Sequence, residues 1–381
     1  MTGSPAAPTP VWDLAIVGGG PAGLFAAIMA GSADDSGGPA AGGALRPCIL
    51  VLEKSRAPGR KFLLSGSGQC NITHAGGVED FLPRYSGGPK PGSAGRFLKS
   101  SLYALSPSDL LGWFRARGHE FETEENGKIF PVRRKASLLL GSLEEAAAET
   151  GVEIRCSRRV AEIGRKEADG EGEVFVLAAE RSAGPEDPRP REIFHARRVL
   201  IAAGGSSYPG TGSAGDGFTL AGALGHAVVR PKPALAPVYI EDFRLADHAG
   251  LSFSKARLAL RRGGSILLER CGDLLITHQG LSGPLVLDAS GAMEEGDILE
   301  IGFSSLPANG FKVAQDSLFS ANPRKVVRNL IPELGLPKAL AETLCSQAGF
   351  GQEDRAADAP RSKREALDRK STRLNSSHGK L

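Results

Sequence analysis

Ile16-Val17-Gly18-Gly19-Gly20-Pro21-Ala22-Gly23 carries three glycines at the spacing G-x-G-x-x-G, between the apolar run Leu14 to Val17 and the helical stretch Leu24 to Ala30. Strand, glycine turn, helix is the order in which this spacing has a use. Gly18 permits a tight turn, Gly20 lets backbone approach a pyrophosphate, and Gly23 brings helix and strand close together. Unpaired amide N–H groups and the positive end of the helix dipole then attract an anion without any basic side chain. In a chain with 50 glycines an ordinary glycine turn is the alternative. The context favours the ligand. The next apolar run, Ile49 to Leu52, ends on Glu53, whose carboxylate can accept both hydroxyls of an adenosine ribose. The gap from Gly23 to Glu53 exceeds the usual spacing of about 20 residues, and the small-residue loop Gly31 to Pro47 accounts for the excess. An acid rather than a base at this place argues against a 2′-phosphate. The segment is therefore expected to be a dinucleotide-binding βαβ unit.

The rest of the chain narrows the class. Its 381 residues suffice for two domains, or for one nucleotide-binding domain carrying an insertion. Hydrophobic residues at 41% and charged residues at 23% are those of a soluble globular protein, while 25 prolines and the many glycines predict frequent turns. Lys and Arg number 46 against 43 Asp and Glu, so no strong field favours nucleic acid or an anionic membrane. No apolar window reaches the roughly 18 residues of a membrane span, and the start, MTGSPAAPTP, lacks the features of a signal peptide. A cytoplasmic protein is expected. Cys48, Cys70, Cys156, Cys271 and Cys345 are far apart, which predicts reduced structural thiols and no zinc or other metal site.

Residues 1–10 read as a disordered tail. From Gly151 to Glu180 short alternating segments, VEIRC and EVFVLAAE, separated by the polar stretch Lys166 to Glu173, predict an antiparallel meander. Its exit, Arg198 to Ala203, is an apolar strand stopping at Gly204 and Gly205. The glycine spacing recurs at Gly210, Gly212 and Gly215, but Ser206 to Pro209 before it is no strand, so a second dinucleotide site is not expected there. That loop leads into a helix from Gly217 to Leu224, with Asp216 as either its cap or a ligand contact. Downstream of Pro231, β-like runs at Ala256 to Leu260, Ile266 to Glu269, Leu274 to Thr277 and Ile298 to Phe303 suggest a separate β-rich domain. Pro323 to Gln347 is more helical, and beyond Gly351 apolar periodicity is lost. The expected division is a nucleotide-binding domain over 11–230, an insert domain over 231–352 and a disordered tail over 353–381.

The glycine fingerprint does not by itself separate FAD from NAD. Two further segments bear on the choice: Gly59-Arg60-Lys61-Phe-Leu-Leu-Ser65-Gly66-Ser67-Gly68-Gln69-Cys70-Asn71-Ile-Thr73, and Val199-Leu-Ile-Ala-Ala203-Gly204-Gly205 followed by Ser207-Tyr208-Pro209. At these residues the chain resembles the RsdA/BaiN/aminoacetone oxidase-like family of NAD(P)/FAD-dependent oxidoreductases, which carry a G-R-K…S-G-x-G-x-C-N segment after the ribose-binding glutamate. The likeness continues through Thr211-Gly-Ser-Ala-Gly-Asp216-Gly, Pro233-Ala-Leu-Ala-Pro237 and Thr277-His278-Gln-Gly280-Leu-Ser282-Gly283-Pro284, and so covers about residues 11 to 350.

The resemblance implies an α/β fold, a Rossmann-like FAD-binding domain with an antiparallel meander, interrupted by a β-rich insert domain. It implies FAD contacts at Gly18, Gly20, Pro21, Ala22, Gly23, Glu53 and Lys54, with backbone near Val160 against adenine and Ala203, Gly204 and Gly205 close to the cofactor. The small residues from Ser65 to Thr73, with Ser65, Gly66, Asn71 and Thr73 singled out, suit backbone contact with a flat ring and its ribityl-phosphate chain. Arg60 and Lys61 can neutralise pyrophosphate or a developing flavin anion, a solvated basic pair being the alternative. The family pattern includes Cys70, which suggests packing beside the flavin. A dithiol centre would need a second cysteine close by, and none lies between Cys70 and Cys156. His278 is expected to be a satisfied histidine at a strand end; alternatively it or Tyr208 orients a substrate or exchanges a proton.

Family members continue past the insert domain into a final Rossmann segment with glycine-rich turns, which this chain is expected to lack. Its end, Asp368 to Leu381, reads as non-native sequence, and weak flavin retention is the expected result. The expected function is an FAD-dependent oxidoreductase passing hydride or electrons between a small organic substrate and flavin, with NAD(P)H as a candidate transient reductant and no catalytic acid or base assigned. The alternatives are an NAD-dependent dehydrogenase and a non-catalytic flavin-binding accessory protein, for instance one serving RNA modification. Arg257, Arg261 and Arg262 are too few to suggest an RNA surface. The expected partner is a small-molecule substrate, with neither nucleic acid nor membrane; oligomeric state stays open.

Overall fold

The strand before the glycine motif starts earlier than its apolar run, giving β1 (Val11–Val17), and Pro21 opens α1 (Pro21–Gly31). Proline suits the first helical turn, where its missing N–H would have no partner. β2 (Ile49–Leu52) is buried along its whole length, as a strand covered on both faces must be. The structure, a computed structural model, describes residues 10–32, 46–85, 92–168, 172–181, 191–241, 243–303, 310–372 and 379–380. Most of the N-terminal tail and of the loop from Gly31 to Pro47, and part of the polar stretch from Lys166 to Glu173, lie outside them. The chain divides into two compact units, Met1–Val229 and Arg230–Leu381.

In the first unit the chain continues through β3 (Thr73–His74), α2 (Val78–Phe81), α3 (Ser93–Ala104), α4 (Pro107–Arg115), β4 (Phe121–Thr123), β5 (Lys128–Pro131) and α5 (Ala136–Glu149). It then runs through β6 (Glu153–Arg155), β7 (Arg158–Ala168), β8 (Gly172–Arg181), β9 (Arg191–Ile201) and α6 (Asp216–Ala223). The main sheet has the order β6-β2-β1-β9-β8-β7. β1 pairs in parallel with β2 on one side, Leu14 opposite Ile49, and with β9 on the other, Ile16 opposite Leu200. The chain leaves β1 towards β2, so strand order reverses at the carboxyl end of β1. Open α/β sheets bind ligands in such a crevice. Leu24 and Ile28 of α1 and Leu139 and Leu143 of α5 share one core cluster and are at most 2% exposed. Burial of each stabilises the unit by roughly 1.5–3 kcal/mol.

The expected meander is present only in part. β7, β8 and β9 are antiparallel neighbours, but the VEIRC segment forms β6, which joins the parallel side of the sheet beside β2. An edge strand exposes one side, so its alternating pattern imitates an antiparallel strand.

The second unit contains β10 (Val238–Ile240), β11 (Ser252–Arg262), β12 (Ser265–Ile276), β13 (Gly280–Ser282), α7 (Pro284–Ser290), β14 (Ile298–Gly302), α8 (Gly310–Ala321), α9 (Val327–Leu330), α10 (Lys338–Gln347), α11 (Arg361–Thr372) and β15 (Gly379–Lys380). Its sheet has the order β14-β11-β12-β13-β10-β15. The runs Ile266 to Glu269 and Leu274 to Thr277 are largely one long strand, β12, and the run at Ala256 falls within β11.

The disordered tail expected from residue 353 is corrected by α11. Leu367 is fully buried in the same core as Phe311, Phe319 and Leu344, and Ala356 and Ala359 are buried before it. Ion pairs from Lys363 to Asp354 at 2.7 Å and from Arg364 to Asp316 at 3.7 Å flank the helix. One leucine is enough to dock a helix whose other faces are charged, so composition alone conceals it.

Candidate functional site

The glycines of the opening motif are demanded first by the protein's own backbone. Gly18 has φ +114°, and a Cβ there would meet the Ala202 carbonyl oxygen at 2.4 Å; one on Gly23 would meet the Gly18 oxygen at 2.1 Å. Gly20 differs, because a Cβ there would meet no protein atom within 4 Å. It is the N-terminal cap of α1 and faces an open cleft, so the room beside it is available to a ligand.

That cleft, about 250 Å³, lies at the strand switch point. Of the residues expected to bind a cofactor, Gly18, Gly20, Pro21 and Ala22 line it from the motif, and Glu53, Lys54, Arg60 and Lys61 from the β2 side. Val160, Ala203 and Gly204 complete the opposite wall. Gly23 lies behind the turn, and Gly205 is not among the lining residues. Ser65, Gly66, Asn71 and Thr73 are likewise absent from its walls. They belong to a separate loop whose backbone turns through left-handed Gly66, Ser67, Gly68 and Cys70, with Thr73 paired to Ile129 in β5. Ser65 Oγ donates to the Phe62 carbonyl at 2.7 Å rather than facing the cleft.

Glu53 is held by backbone alone. Its Oε2 accepts from Gly19 N and its Oε1 from Ser55 N, both at 2.7 Å. Each oxygen keeps a lone pair, so an orientated carboxylate is ready for a pair of vicinal hydroxyls. On the far side of the cleft, Asp216 bridges two cations. Lys54 Nζ lies 2.5 Å from its Oδ2 and Arg159 Nη2 2.9 Å from its Oδ1. Burial pushes the Asp216 carboxyl up, and the hydrogen bonds and charges of Lys54 and Arg159 outweigh it, leaving the group below the usual carboxylate range. Capping is therefore not its role: Gly215 holds the cap position of α6. Arg158, also in the wall, pairs with Glu192 at 3.0 Å. Arg60 and Lys61 differ from these three cations. Among the described residues neither pairs with a carboxylate, and Lys61 Nζ donates only to the Ser207 carbonyl at 3.1 Å.

The clamp by Asp216 carried no local sign in the sequence, since its partners lie 162 and 57 positions away. Arg158 and Arg159 had one weak signal, a basic pair directly before Val160. The Cys70 side chain is buried in the core formed by α1, α4 and α5. Burial pushes its thiol up, against a hydrogen bond with Ser65, which keeps it a packing group rather than a thiolate. Tyr208 is 75% exposed, in left-handed conformation, with Lys61 Nζ 6.0 Å from its ring centre. His278 is exposed in the turn between β12 and β13. Among the described residues no group of three His, Cys, Asp or Glu side chains could hold a metal ion, and no helix is long and apolar enough to cross a membrane.

Residues 12–286 match the HI0933-like protein Rossmann domain, and residues 232–374 the HI0933-like protein barrel and H2TH domain. The chain is 29% identical over 283 residues to the 3-dehydro-bile acid delta(4,6)-reductase of Clostridium scindens, covering 74% of this chain and 61% of that protein. It is 26% identical to the ribosomal RNA dihydrouridine synthases of Haemophilus influenzae and Escherichia coli, in each case covering 87% of this chain and 73% of the relative.

Proposed function

The chain belongs to the HI0933-like family, and from that premise we propose that it is an FAD-dependent oxidoreductase that reduces a carbon–carbon double bond conjugated to a carbonyl, with NAD(P)H as electron source. The observation that carries the proposal is the Glu53 carboxylate, fixed by Gly19 and Ser55 at the edge of a glycine-lined cleft at the switch point. When bound, FAD supplies a ring that accepts and returns hydride. The chain's own residues do the rest. Gly18, Gly20 and the start of α1 receive the pyrophosphate, Glu53 the ribose, and backbone near Val160 the adenine. Arg60 and Lys61, the cleft cations without carboxylate partners, offset the negative charge of pyrophosphate or of a reduced ring.

The relatives support the reaction class. A 3-oxo steroid with double bonds at positions 4 and 6 and a uracil ring with its 5,6 double bond both present an alkene conjugated to a carbonyl, open to hydride at the far carbon. We favour a small molecule for this chain, because Arg257, Arg261 and Arg262 are neutralised by Glu269, Glu300 and Asp297. RNA is the second reading, since two relatives bearing that name align over 87% of the chain. Free cysteines suit the reducing cytoplasm, where we place the protein.

The test mixes purified protein with FAD, removes unbound flavin, reduces the complex anaerobically with NADPH and adds either a 3-oxo-Δ4 steroid or a ribosomal RNA transcript. Flavin absorbance retained above a protein-free control, even at less than one flavin per chain, bleached by NADPH and restored by the steroid, is the expected result. Restoration by RNA alone selects the second reading, and binding of NAD without FAD overturns both.

A further inference from the structure

The second glycine run, Gly210 to Gly215, delivers a carboxylate to the cleft. Gly212 at φ +102° lies beside Lys54, where a Cβ would be in ordinary contact at 3.4 Å, and Gly215 at φ +85° turns the chain into α6, whose first residue is Asp216. The carboxylate, 15% exposed, takes Lys54 with one oxygen and Arg159 with the other. Lys54 directly follows the ribose carboxylate Glu53, and Arg159 directly precedes Val160; all four line the same end of the cleft.

A basic side chain beside the adenosine ribose is the usual means of taking a 2′-phosphate. This chain has two such cations and leaves neither free. Lys54 and Arg159 are balanced by Glu53 and Asp216, so this end of the cleft carries no net charge, and Glu180 stands 3.7 Å from Arg159 on its outer side. A 2′-phosphate would have to displace a carboxylate held by two ion pairs or lie against it.

We propose that Asp216 is a specificity-determining residue, which occupies the two cations of the adenosine end and so excludes nucleotides with a 2′-phosphate. The inference rests on the dinucleotide reading above. Removing the Asp216 charge takes the carboxylate partner from Lys54 and leaves Arg159 only Glu180 at 3.7 Å, so this end of the cleft becomes more positive.

The experiment uses the full chain, freed of bound nucleotide, and measures binding of adenosine 5′-monophosphate and adenosine 2′,5′-bisphosphate by calorimetry. The native protein is expected to prefer the monophosphate by about tenfold or more. Asp216→Asn is expected to shift that ratio by about tenfold or more towards the bisphosphate, and Lys54→Met added to it is expected to take much of the shift back. Asp216→Ser supplies the same measurement should the asparagine variant not fold. Monophosphate binding with an unchanged ratio in the Asp216 variants overturns the inference alone. A native protein that binds neither nucleotide overturns the dinucleotide reading, and the inference with it.

Discussion

Gly18 to Gly23 and Gly210 to Gly215 share one spacing and are used in opposite ways. The first follows a buried strand, two of its glycines are forced by backbone atoms 2.1 and 2.4 Å from where a Cβ would stand, and the helix it opens has no acid in its first turn. The positive end of that helix is left for a ligand. The second follows Tyr208, a non-glycine residue held left-handed before a proline, and passes through a single 3₁₀ turn, Pro209–Thr211. The helix it opens starts on Asp216, so its first turn carries a carboxylate of the chain itself, held by Lys54 and Arg159. Spacing of glycines therefore distinguishes nothing until the preceding strand and the charge of the first turn are included.

Four substitutions can break or sharpen this contrast. The largest effect is expected from Gly23→Ala, which drives a methyl into the Gly18 carbonyl. A loss of roughly 3 kcal/mol or more should appear as a lowered denaturant midpoint, and a midpoint like that of the native protein would remove the packing role. Gly20→Ala is next. Its φ of −75° suits alanine and no protein atom is near, so stability should stay within about 0.5 kcal/mol while affinity for ADP falls by about tenfold or more. Unaltered ADP binding would show that the ligand does not approach there.

At the second run the contrast is electrostatic. The folded Asp216 carboxyl titrates below the usual range, so its charge stabilises the protein at pH values above about 3.9, the unfolded value, and that contribution fades as the pH falls through the folded value. The difference in Tm between native protein and Asp216→Asn should therefore be present at neutral pH and shrink below about pH 4. A difference that stays constant down to acid pH would mean that packing, not charge, holds the loop. The smallest effect is expected for Gly210→Ala, which meets nothing within 4 Å and needs no left-handed backbone. Its stability should change by less than about 0.5 kcal/mol, and a large loss would give this glycine a role that its surroundings do not explain.

Much of the first unit is legible from local pattern. β1, the turn, α1, β2 and Glu53 follow from apolar runs and glycines within about 40 residues, because each element makes its own periodicity. The cleft's other wall is less so. Lys54 shows its neighbour Glu53 but not Asp216, for an ion pair between distant elements leaves no trace in either. Cys70 carries no local sign of its burial, which shows only in its sharing one core cluster with Phe114 and Leu139. The chain beyond Gly351 misleads for a different reason. Burial of Leu367 is the work of one side chain, and a single apolar residue among charges has no period to detect.

The pairing of β1 with β9 also sets a timetable. Val17 lies opposite Ile201, so the second neighbour of β1 is made about 180 residues after it. At ribosomal rates of about 5–20 residues per second, that interval is roughly 10–40 s. Throughout it, β1, α1 and β2 can already have assembled, with one flank of β1 offering unpaired N–H and C=O groups to any extended peptide nearby. The cleft wall carrying Ala203 and Gly204 arrives late and Asp216 later still, so a nascent chain has half a cradle well before it has a closed sheet.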